Sequence, residues 1–326
     1  MKVVLQNLTK KFPNRNKKLD DVIAVNDFTF EIPDGQLIGL LGPSGCGKST
    51  ALNLISGLIQ PTSGKIFFGD DDVTNLPPEN RGVGLVFQSY ALYPHLTVKQ
   101  NIMFPLQNLK GAERPSKEEM ERRVLEAAKL VQIENLMERK PGEMSGGQQQ
   151  RETGITTIFV THDQEEAMSI SDLIVVMSAG VVQQIGRPQE VYDSPVNLFV
   201  AKFLGTPPIN VFEGQVRSGT LYIGEEAVLE VPGAPDGAVY AGIRPEGFVL
   251  EENGPLCCGL TGVEVMGRDI SVVSTHSSSV NATIRSIIAA ETRVDTSAGQ
   301  VRFSLKPAKV FLFDRETEER VNFEVE

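Results

Sequence analysis

The sequence predicts a two-part protein, an α/β domain with a helical subdomain followed by a smaller all-β barrel. Three observations support this prediction. A short apolar run at residues 37–41, typical of a strand buried on both faces, leads directly into the glycine-rich stretch 42–50. Charged residues with helical periodicity dominate residues 98–137. After residue 206, short alternating runs recur between turn residues, as in a small antiparallel barrel.

Strand and helix patterns can be placed along both parts. In the α/β part we predict strands at residues 3–8, 28–32, 37–41, 82–87, 156–160, 173–177 and 181–185, the last two paired as a hairpin. A helix is predicted from Ser49 to about Gly57. In the all-β part we predict strands at residues 238–243, 260–265 and 280–284. Pro207 and Pro208 suit a linker, so we divide the chain into domains 1–206 and 207–326.

Composition argues against several classes of function. The chain has 326 residues, a net charge of −11 and a pI near 5.0, which disfavours nucleic acid as a partner because phosphate binding requires clustered Lys and Arg. There is no apolar run of 18 residues and no signal peptide pattern, so we expect a cytosolic chain. Three cysteines and three histidines are few for a metal-centred enzyme. Cys257 and Cys258 fit a strand as small apolar residues, and His95 and His276 fit surface positions.

The glycine-rich stretch has the spacing of a phosphate-binding loop. Residues 42–49 match G-x-x-x-x-G-K-S, in which glycines let backbone N–H groups approach a phosphate and the following helix directs its positive end toward the same anion. Lys48 would reach the outer phosphates, and the Ser49 hydroxyl would bind Mg²⁺. The residues expected to bind ATP here are Ser44, Gly45, Cys46, Gly47, Lys48, Ser49 and Thr50. Many hydrolases and kinases share this loop, so it does not name a function by itself.

Later motifs resemble those of one protein family. Residues 144–151, Met-Ser-Gly-Gly-Gln-Gln-Gln-Arg, resemble the signature motif of ATP-binding cassette (ABC) proteins. The segment ending in Gln88 resembles their Q-loop, and residues 159–167 resemble their His-switch region. Residues 242–246, Gly-Ile-Arg-Pro-Glu, resemble the opening of the OB-like TOBE regulatory domain. The order of motifs is similar throughout to the maltose and multiple-sugar importer branch.

This resemblance implies roles for individual residues. Phe12 stands where the family has an aromatic that stacks on adenine; the alternative is a core residue. Gln88 would meet Mg²⁺ and a water near the γ-phosphate, and His162 would contact the γ-phosphate and orient the attacking water, so both are catalytic candidates. The signature residues that would bind the ATP held by a second subunit are Ser145, Gly146, Gly147 and Gln148.

The resemblance also implies partners and a location. Two ABC subunits, identical or different, would close head to tail around two Mg²⁺-bound ATP molecules. They would attach to transmembrane permease subunits at the cytoplasmic face of the plasma (inner) membrane, and a solute-binding protein would be engaged indirectly. The implied activity is an ABC-type ATPase that drives solute import, with sugars favoured. Polyamine, iron and glycerol-phosphate importers share these motifs, so the cargo stays open.

One family element is missing from the sequence. The family's Walker B strand, four apolar residues followed by Asp-Glu, supplies a carboxylate for Mg²⁺ and another that polarises the attacking water. Here Arg151 runs directly into Glu152, and His162 follows Ser145 by only 17 residues, whereas one crossover unit takes roughly 30 residues. We therefore expect poor folding or weak ATP binding, and slow hydrolysis if the chain folds. A non-hydrolysing nucleotide-binding or regulatory subunit and a non-functional deletion product are the alternatives.

Overall fold

The computed structural model describes most of the chain as two compact units. The described residues are 1–14, 16, 19–81, 96–107, 115–130, 133–140, 157–161, 163–267, 269–289, 292, 294–295 and 297–324. The first unit comprises Met1–Ile38 and Ser49–Thr161, and the second comprises Gly39–Lys48 and His162–Glu326. No helix in these ranges combines the length and hydrophobicity required to cross a bilayer.

The elements follow the chain in an α/β order and then an all-β order. Up to residue 203 they are β1 (Val3–Phe12), β2 (Val22–Ile32), β3 (Leu37–Leu41), α1 (Lys48–Ser56), β4 (Ser63–Phe68), β5 (Asp71–Asp72), α2 (Val98–Gln107), α3 (Lys117–Leu130), β6 (Thr157–Val160), α4 (Gln164–Ile170), β7 (Leu173–Ser178), β8 (Val181–Gly186), α5 (Pro188–Asp193) and α6 (Leu198–Phe203). Then come β9 (Asn210–Arg217), β10 (Thr220–Ile223), β11 (Glu226–Glu230), β12 (Gly237–Ile243), β13 (Phe248–Leu250), β14 (Leu256–Met266), β15 (Asp269–Thr275), β16 (Ile284–Ala289), β17 (Gln300–Leu305), β18 (Val310–Asp314) and β19 (Arg320–Val321).

The first unit combines an antiparallel sheet with a helical region. The sheet has the order β2-β1-β4-β5, and its buried side chains include Leu5, Phe28 and Ile66, as the alternating sequence predicts. Helices α2 and α3 pack through a separate small core that contains Val98 and Val124. The predictions of strands at residues 3–8 and 28–32 and of helices within 98–137 are confirmed. The predicted strand at 82–87 lies outside the described residues.

A buried arginine anchors the end of α1. The guanidinium of Arg81 donates hydrogen bonds to the carbonyls of Leu54 (2.8 Å), Ile55 (2.9 Å), Thr74 (2.8 Å) and Leu76 (2.9 Å). Only 4% of the residue is exposed, and this burial lowers the pKa of Arg81. The cation therefore satisfies the last carbonyls of the helix that begins with Lys48, where positive charge is favoured.

The buried Arg81 side chain leaves no room for a side chain at Gly57, so replacement of Gly57 provides a test of stability. Gly57 has a φ of +82°, and an added Cβ would lie 2.5 Å from Arg81 Nε. We expect Gly57→Ala to lower the free energy of unfolding by about 2–4 kcal/mol, because backbone strain and displacement of the Arg81 hydrogen bonds combine. Gly219→Ala is the control, since its φ is +77° and nothing lies within 4 Å of the added Cβ. If urea unfolding shows that Gly57→Ala and Gly219→Ala lower the free energy of unfolding equally, the Arg81 side chain moves aside without cost.

The second unit begins with part of a buried sheet. Its portion of β3 lies beside β7, which pairs with β8, in the order β3-β7-β8. β7 and β8 are antiparallel, so the predicted hairpin is confirmed. Residues 174–177 of β7 are fully buried, which fits a continuous apolar run in a central strand. The glycine-rich loop follows β3.

Residues 210–321 form the predicted all-β part. One sheet has the order β11-β10-β9-β12-β18-β19 and the other β13-β17-β14-β15-β16, and the strand pairs are antiparallel. Both sheets contribute to one apolar core that includes Phe212, Val239, Val272 and Phe303. The two sheets form a nearly closed barrel, as expected for an OB-like domain. The predicted strands at 238–243 and 260–265 are confirmed within β12 and β14.

The predicted strand at 280–284 is wrong, because β16 begins only at Ile284. The residues before it are held instead by hydrogen bonds to β9. The N–H of Val280 donates to the carbonyl of Val211 (2.8 Å), and the N–H of Val211 donates to Asn281 Oδ1 (3.0 Å). An asparagine that accepts a backbone N–H competes with regular strand pairing, and the residues 281–283 therefore form a loop.

Two further expectations need correction. His276 is not a surface residue: its side chain is 11% exposed, packs edge-on against Phe212 (5.9 Å between ring centroids) and contacts Glu226 (3.4 Å). Cys258 is buried in β14 as predicted, but Cys257 is only half-buried, with its Sγ 3.7 Å from Gln300 Oε1. Alternation along a strand places adjacent residues on opposite faces, so the two cysteines have different environments.

Arg244 joins the barrel to the two preceding helices. It has no exposed surface, and its Nη1 donates to the carbonyls of Ala201 (3.0 Å) and Leu204 (2.5 Å), while Nη2 donates to the carbonyl of Tyr192 (2.7 Å). The guanidinium carbon lies 3.8 Å from the centroid of the Tyr192 ring. Burial lowers the pKa of Arg244 and raises that of Tyr192 to about 12. A cation at the end of α6 satisfies carbonyls that the helix leaves unpaired.

Candidate nucleotide-binding site

The glycine-rich loop turns between β3 and α1, and three glycines make the turn possible. An added Cβ at Gly42 would lie 2.3 Å from the carbonyl oxygen of Met177 and 2.5 Å from Cys46 Sγ, so no side chain fits there. Gly45 and Gly47 have φ values of +81° and +105°, in the left-handed region that glycine tolerates. This backbone leads directly into the N-terminus of α1, which begins at Lys48. The geometry is that of a backbone cradle for an anion.

Lys48 lies inside this loop. It is 5% exposed, and its Nζ donates to the carbonyls of Gly42 (2.7 Å) and Pro43 (2.9 Å) and lies 3.7 Å from Cys46 Sγ. Within the described part of the chain, no carboxylate pairs with this ammonium. A buried cation held only by neutral carbonyls gains from an incoming phosphate, which would replace these contacts with charge-assisted hydrogen bonds.

The other loop residues differ in their exposure. Ser44 and Gly45 are exposed at the turn, and Ser49 is exposed in the first turn of α1. Cys46 is buried, and its carbonyl accepts a hydrogen bond from the N–H of Gly180 (2.9 Å). The loop is therefore fastened to the turn that follows β7, while its outer edge stays accessible.

Phe12, in the first unit, is not a core residue. It ends β1 with 39% of its surface exposed, and Lys10 Nζ lies 5.2 Å from the centroid of its ring. An exposed aromatic ring beside a cation can stack on a flat ligand. Its role toward adenine stays a prediction.

The remaining predicted site residues lie outside the described residues. They are Gln88, Ser145, Gly146, Gly147, Gln148 and His162. The elements on both sides of His162 are described: β6 ends at Val160, and α4 begins after Asp163, whose Oδ1 accepts the N–H of Glu166 (3.0 Å) as an N-cap. In the chain, His162 is thus flanked by a strand and a capped helix, and its role toward the γ-phosphate stays a prediction.

The donor set in the loop suits a phosphate better than a resident metal. Among the described residues, no group of three or more His, Cys, Asp or Glu side chains is arranged to hold a metal ion. Of the two predicted Mg²⁺ ligands, Ser49 is exposed at the start of α1 and Gln88 is outside the described residues. When bound with ATP, Mg²⁺ would supply charge neutralisation on the phosphates, with the Ser49 hydroxyl as its protein ligand.

The sequence analysis missed Arg81, which anchors the end of α1. Nothing in the local pattern marks this residue, because a charged side chain beside a proline-rich turn is typical of the surface. Its four acceptors are backbone carbonyls 5 to 27 residues away. Only the fold brings these carbonyls together.

Comparison with known proteins identifies the family. The family model described as "ABC transporter" matches residues 25–164. The sn-glycerol-3-phosphate import ATP-binding protein of Ruegeria sp. (strain TM1040) is 35% identical over 347 aligned positions, which take in 94% of this chain and 97% of that protein. The chain is an ATP-binding subunit of the ABC transporter family.

Other ABC importer subunits are similar over long stretches. The xylose/arabinose import ATP-binding protein of Haloferax volcanii is 35% identical over 374 positions, covering 97% of this chain and 94% of that protein. The trehalose/maltose import ATP-binding protein of Thermococcus litoralis is 39% identical over 286 positions, which cover 71% of this chain and 76% of that protein. The similarity to ABC importer subunits thus extends through both the α/β part and the barrel.

Proposed function

We propose that this chain is the ATP-binding, energy-coupling subunit of an ABC importer for sugars or similar small polar solutes. The observation that carries the proposal is the loop at residues 42–48, where Lys48 is buried among backbone carbonyls at the start of α1. The names of the similar proteins, which include xylose/arabinose and trehalose/maltose importers, support sugars as cargo.

The proposed assembly follows from the motifs that the family shares. Two such subunits would sandwich two Mg²⁺-bound ATP molecules, each held by the loop of one subunit and by residues 145–148 of the other. The dimer would bind transmembrane permease subunits at the cytoplasmic face of the inner membrane, and the binding protein would select the cargo. The boundary at residue 206 between cassette and regulatory barrel stays part of this proposal.

The chain is proposed to bind ATP but to hydrolyse it slowly. The sequence lacks the four-apolar–Asp-Glu segment between Ser145 and His162. The relatives support a missing segment: 94% of 326 residues is about 306, so about 40 of the 347 positions aligned with the Ruegeria protein have no residue from this chain. The second candidate function is a non-hydrolysing subunit that pairs with an intact cassette and contributes its signature residues, and a non-functional deletion product is the remaining alternative.

Replacement of Lys48 tests the nucleotide site. We expect Lys48→Ala to weaken binding of a fluorescent ATP analogue by about 10- to 100-fold, because charge-assisted hydrogen bonds to the phosphates are lost. Lys65→Ala is the control, since Lys65 has a 61% exposed side chain that pairs with Asp72 (3.2 Å) at the surface. Thermal unfolding of both variants separates loss of binding from loss of fold. Unchanged affinity in a folded Lys48→Ala protein would contradict the proposed function.

A further inference from the structure

A cavity opens in the barrel beside the linker that enters it. Its volume is about 190 Å³, and one wall is the linker itself, with Pro207 and Pro208. The opposite wall is the loop that leads into β16, with Asn281, Thr283 and Arg285. Asn210, the first residue of β9, connects the two walls. The cavity therefore lies where the chain passes from α6 into the barrel.

Asn210 is a fixed part of this cavity. It is 3% exposed, and both ends of its amide are engaged: Nδ2 donates to the carbonyls of Arg285 (2.9 Å) and Ile243 (3.3 Å), and Oδ1 accepts the N–H of Arg285 (2.9 Å). A side chain that is satisfied in this way does not rearrange without losing several hydrogen bonds. Hydrogen bonds therefore hold the Asn210 part of the cavity wall in place.

Two donor groups on the loop wall are not used by the described part of the protein. Asn281 accepts a hydrogen bond through Oδ1, but its Nδ2 donates to no group in the described ranges, and the Thr283 hydroxyl has no partner there either. Arg285 uses Nη1 and Nη2 on Glu264. A ligand with several acceptor oxygens would satisfy the remaining donors.

The charge of the wall favours an uncharged ligand. Among the described residues that line the cavity, Arg285 alone is charged, and it pairs with Glu264 (2.5 Å). The proline rings add an apolar surface opposite the donors, against which the C–H face of a sugar ring can pack. At about 190 Å³ the cavity is smaller than the roughly 300–1,000 Å³ of drug-sized sites, so it suits a single ring or a shorter polyol.

We propose that this cavity is a binding site for a small uncharged polyhydroxyl solute, of monosaccharide size or less. Bound there, the solute contacts both the linker and the loop that Asn210 ties to the end of β12. β12 ends at Ile243, and the next residue, Arg244, donates hydrogen bonds to the carbonyls at the end of α6. Occupancy therefore stabilises the present arrangement of α6, linker and barrel. The binding site stands on its own geometry; only the regulatory value of such binding rests on the proposed importer function.

Titration of the full chain tests the site, with D-xylose, D-glucose, glycerol and inorganic phosphate as probes in ligand-observed saturation-transfer NMR. We expect at least one of the three polyols to bind saturably and phosphate not to bind at this site. Thr283→Val removes one donor at constant shape, and Asn281→Asp removes Nδ2 but keeps the oxygen that Val211 needs. Each is expected to weaken polyol binding about three- to tenfold, as for loss of one hydrogen bond.

Thr275→Val is the matched control, because Thr275 is an exposed threonine of the same barrel that does not line the cavity. Its polyol affinity should equal that of the unchanged protein. Absence of saturable polyol binding, phosphate binding that the Thr283→Val change weakens, or polyol binding insensitive to both cavity variants would overturn the proposal. The ATP titration with Lys48→Ala is independent of these residues, so failure of the cavity and failure of the proposed function give different results.

Discussion

The purified chain is expected to release phosphate from ATP about 10²–10⁴-fold more slowly than a variant in which an apolar–Asp-Glu segment is inserted between Arg151 and Glu152. In the proposed function that segment would supply the general base that polarises the attacking water, and loss of a positioned acid or base typically costs this factor in rate. The factor corresponds to about 2.7–5.5 kcal/mol in activation free energy. The segment would be taken with its flanking helices from the Haloferax volcanii relative.

Two comparisons make this measurement decisive. The same insertion with Asp-Gln in place of Asp-Glu keeps the restored strand but lacks the base, so it should bind ATP and stay slow. Thermal unfolding of both insertion variants should show a higher midpoint than the native chain, because a restored core strand buries several apolar side chains at about 1.5–3 kcal/mol each. If the native chain releases phosphate as fast as the Asp-Glu variant, the prediction of slow hydrolysis is wrong.

Arg244→Ala is expected to destabilise the barrel and the helices before it by about 4 kcal/mol. The change removes three hydrogen bonds from a charged donor, leaves the carbonyls of Ala201 and Leu204 buried without a partner, and creates a cavity beside the Tyr192 ring. Arg244→Lys should recover only part of the loss, since one ammonium cannot reach all three carbonyls. Urea unfolding followed by circular dichroism measures both changes.

Arg302→Ala serves as the control for Arg244. Arg302 also donates to a backbone carbonyl, that of Gly254 (3.2 Å), but it is exposed on β17. Its replacement should alter the free energy of unfolding by about 0.5 kcal/mol or less. If Arg244→Ala unfolds at the same urea concentration as Arg302→Ala, the buried Arg244 guanidinium contributes no net stability. The cost of removing this cation from water would then offset its hydrogen bonds.

Local chemistry made the conformation of the glycine-rich loop predictable, whereas its ligand stays a prediction. A phosphate loop depends on glycines at fixed spacing, a lysine and a following helix, and all of these are consecutive in sequence. The positive φ values of Gly45 and Gly47 and the start of α1 at Lys48 agree with that pattern. The strands at 37–41 and 173–177 were equally visible, since a strand buried on both faces leaves a continuous apolar run.

The sequence by itself determined the α/β and all-β order of the two parts, the glycine-rich loop between a buried strand and a helix, and the family, because each depends on neighbouring residues or on motif order. Tertiary structure alone decided the burial of Arg81 and Arg244, the inward position of His276 and the loop at 281–283. Arg81, Arg244 and His276 are polar, and their position depends on partners far away along the chain, such as the Leu204 carbonyl, 40 residues from Arg244. Local patterns report what one residue prefers, whereas a buried cation requires carbonyls that only the folded chain assembles.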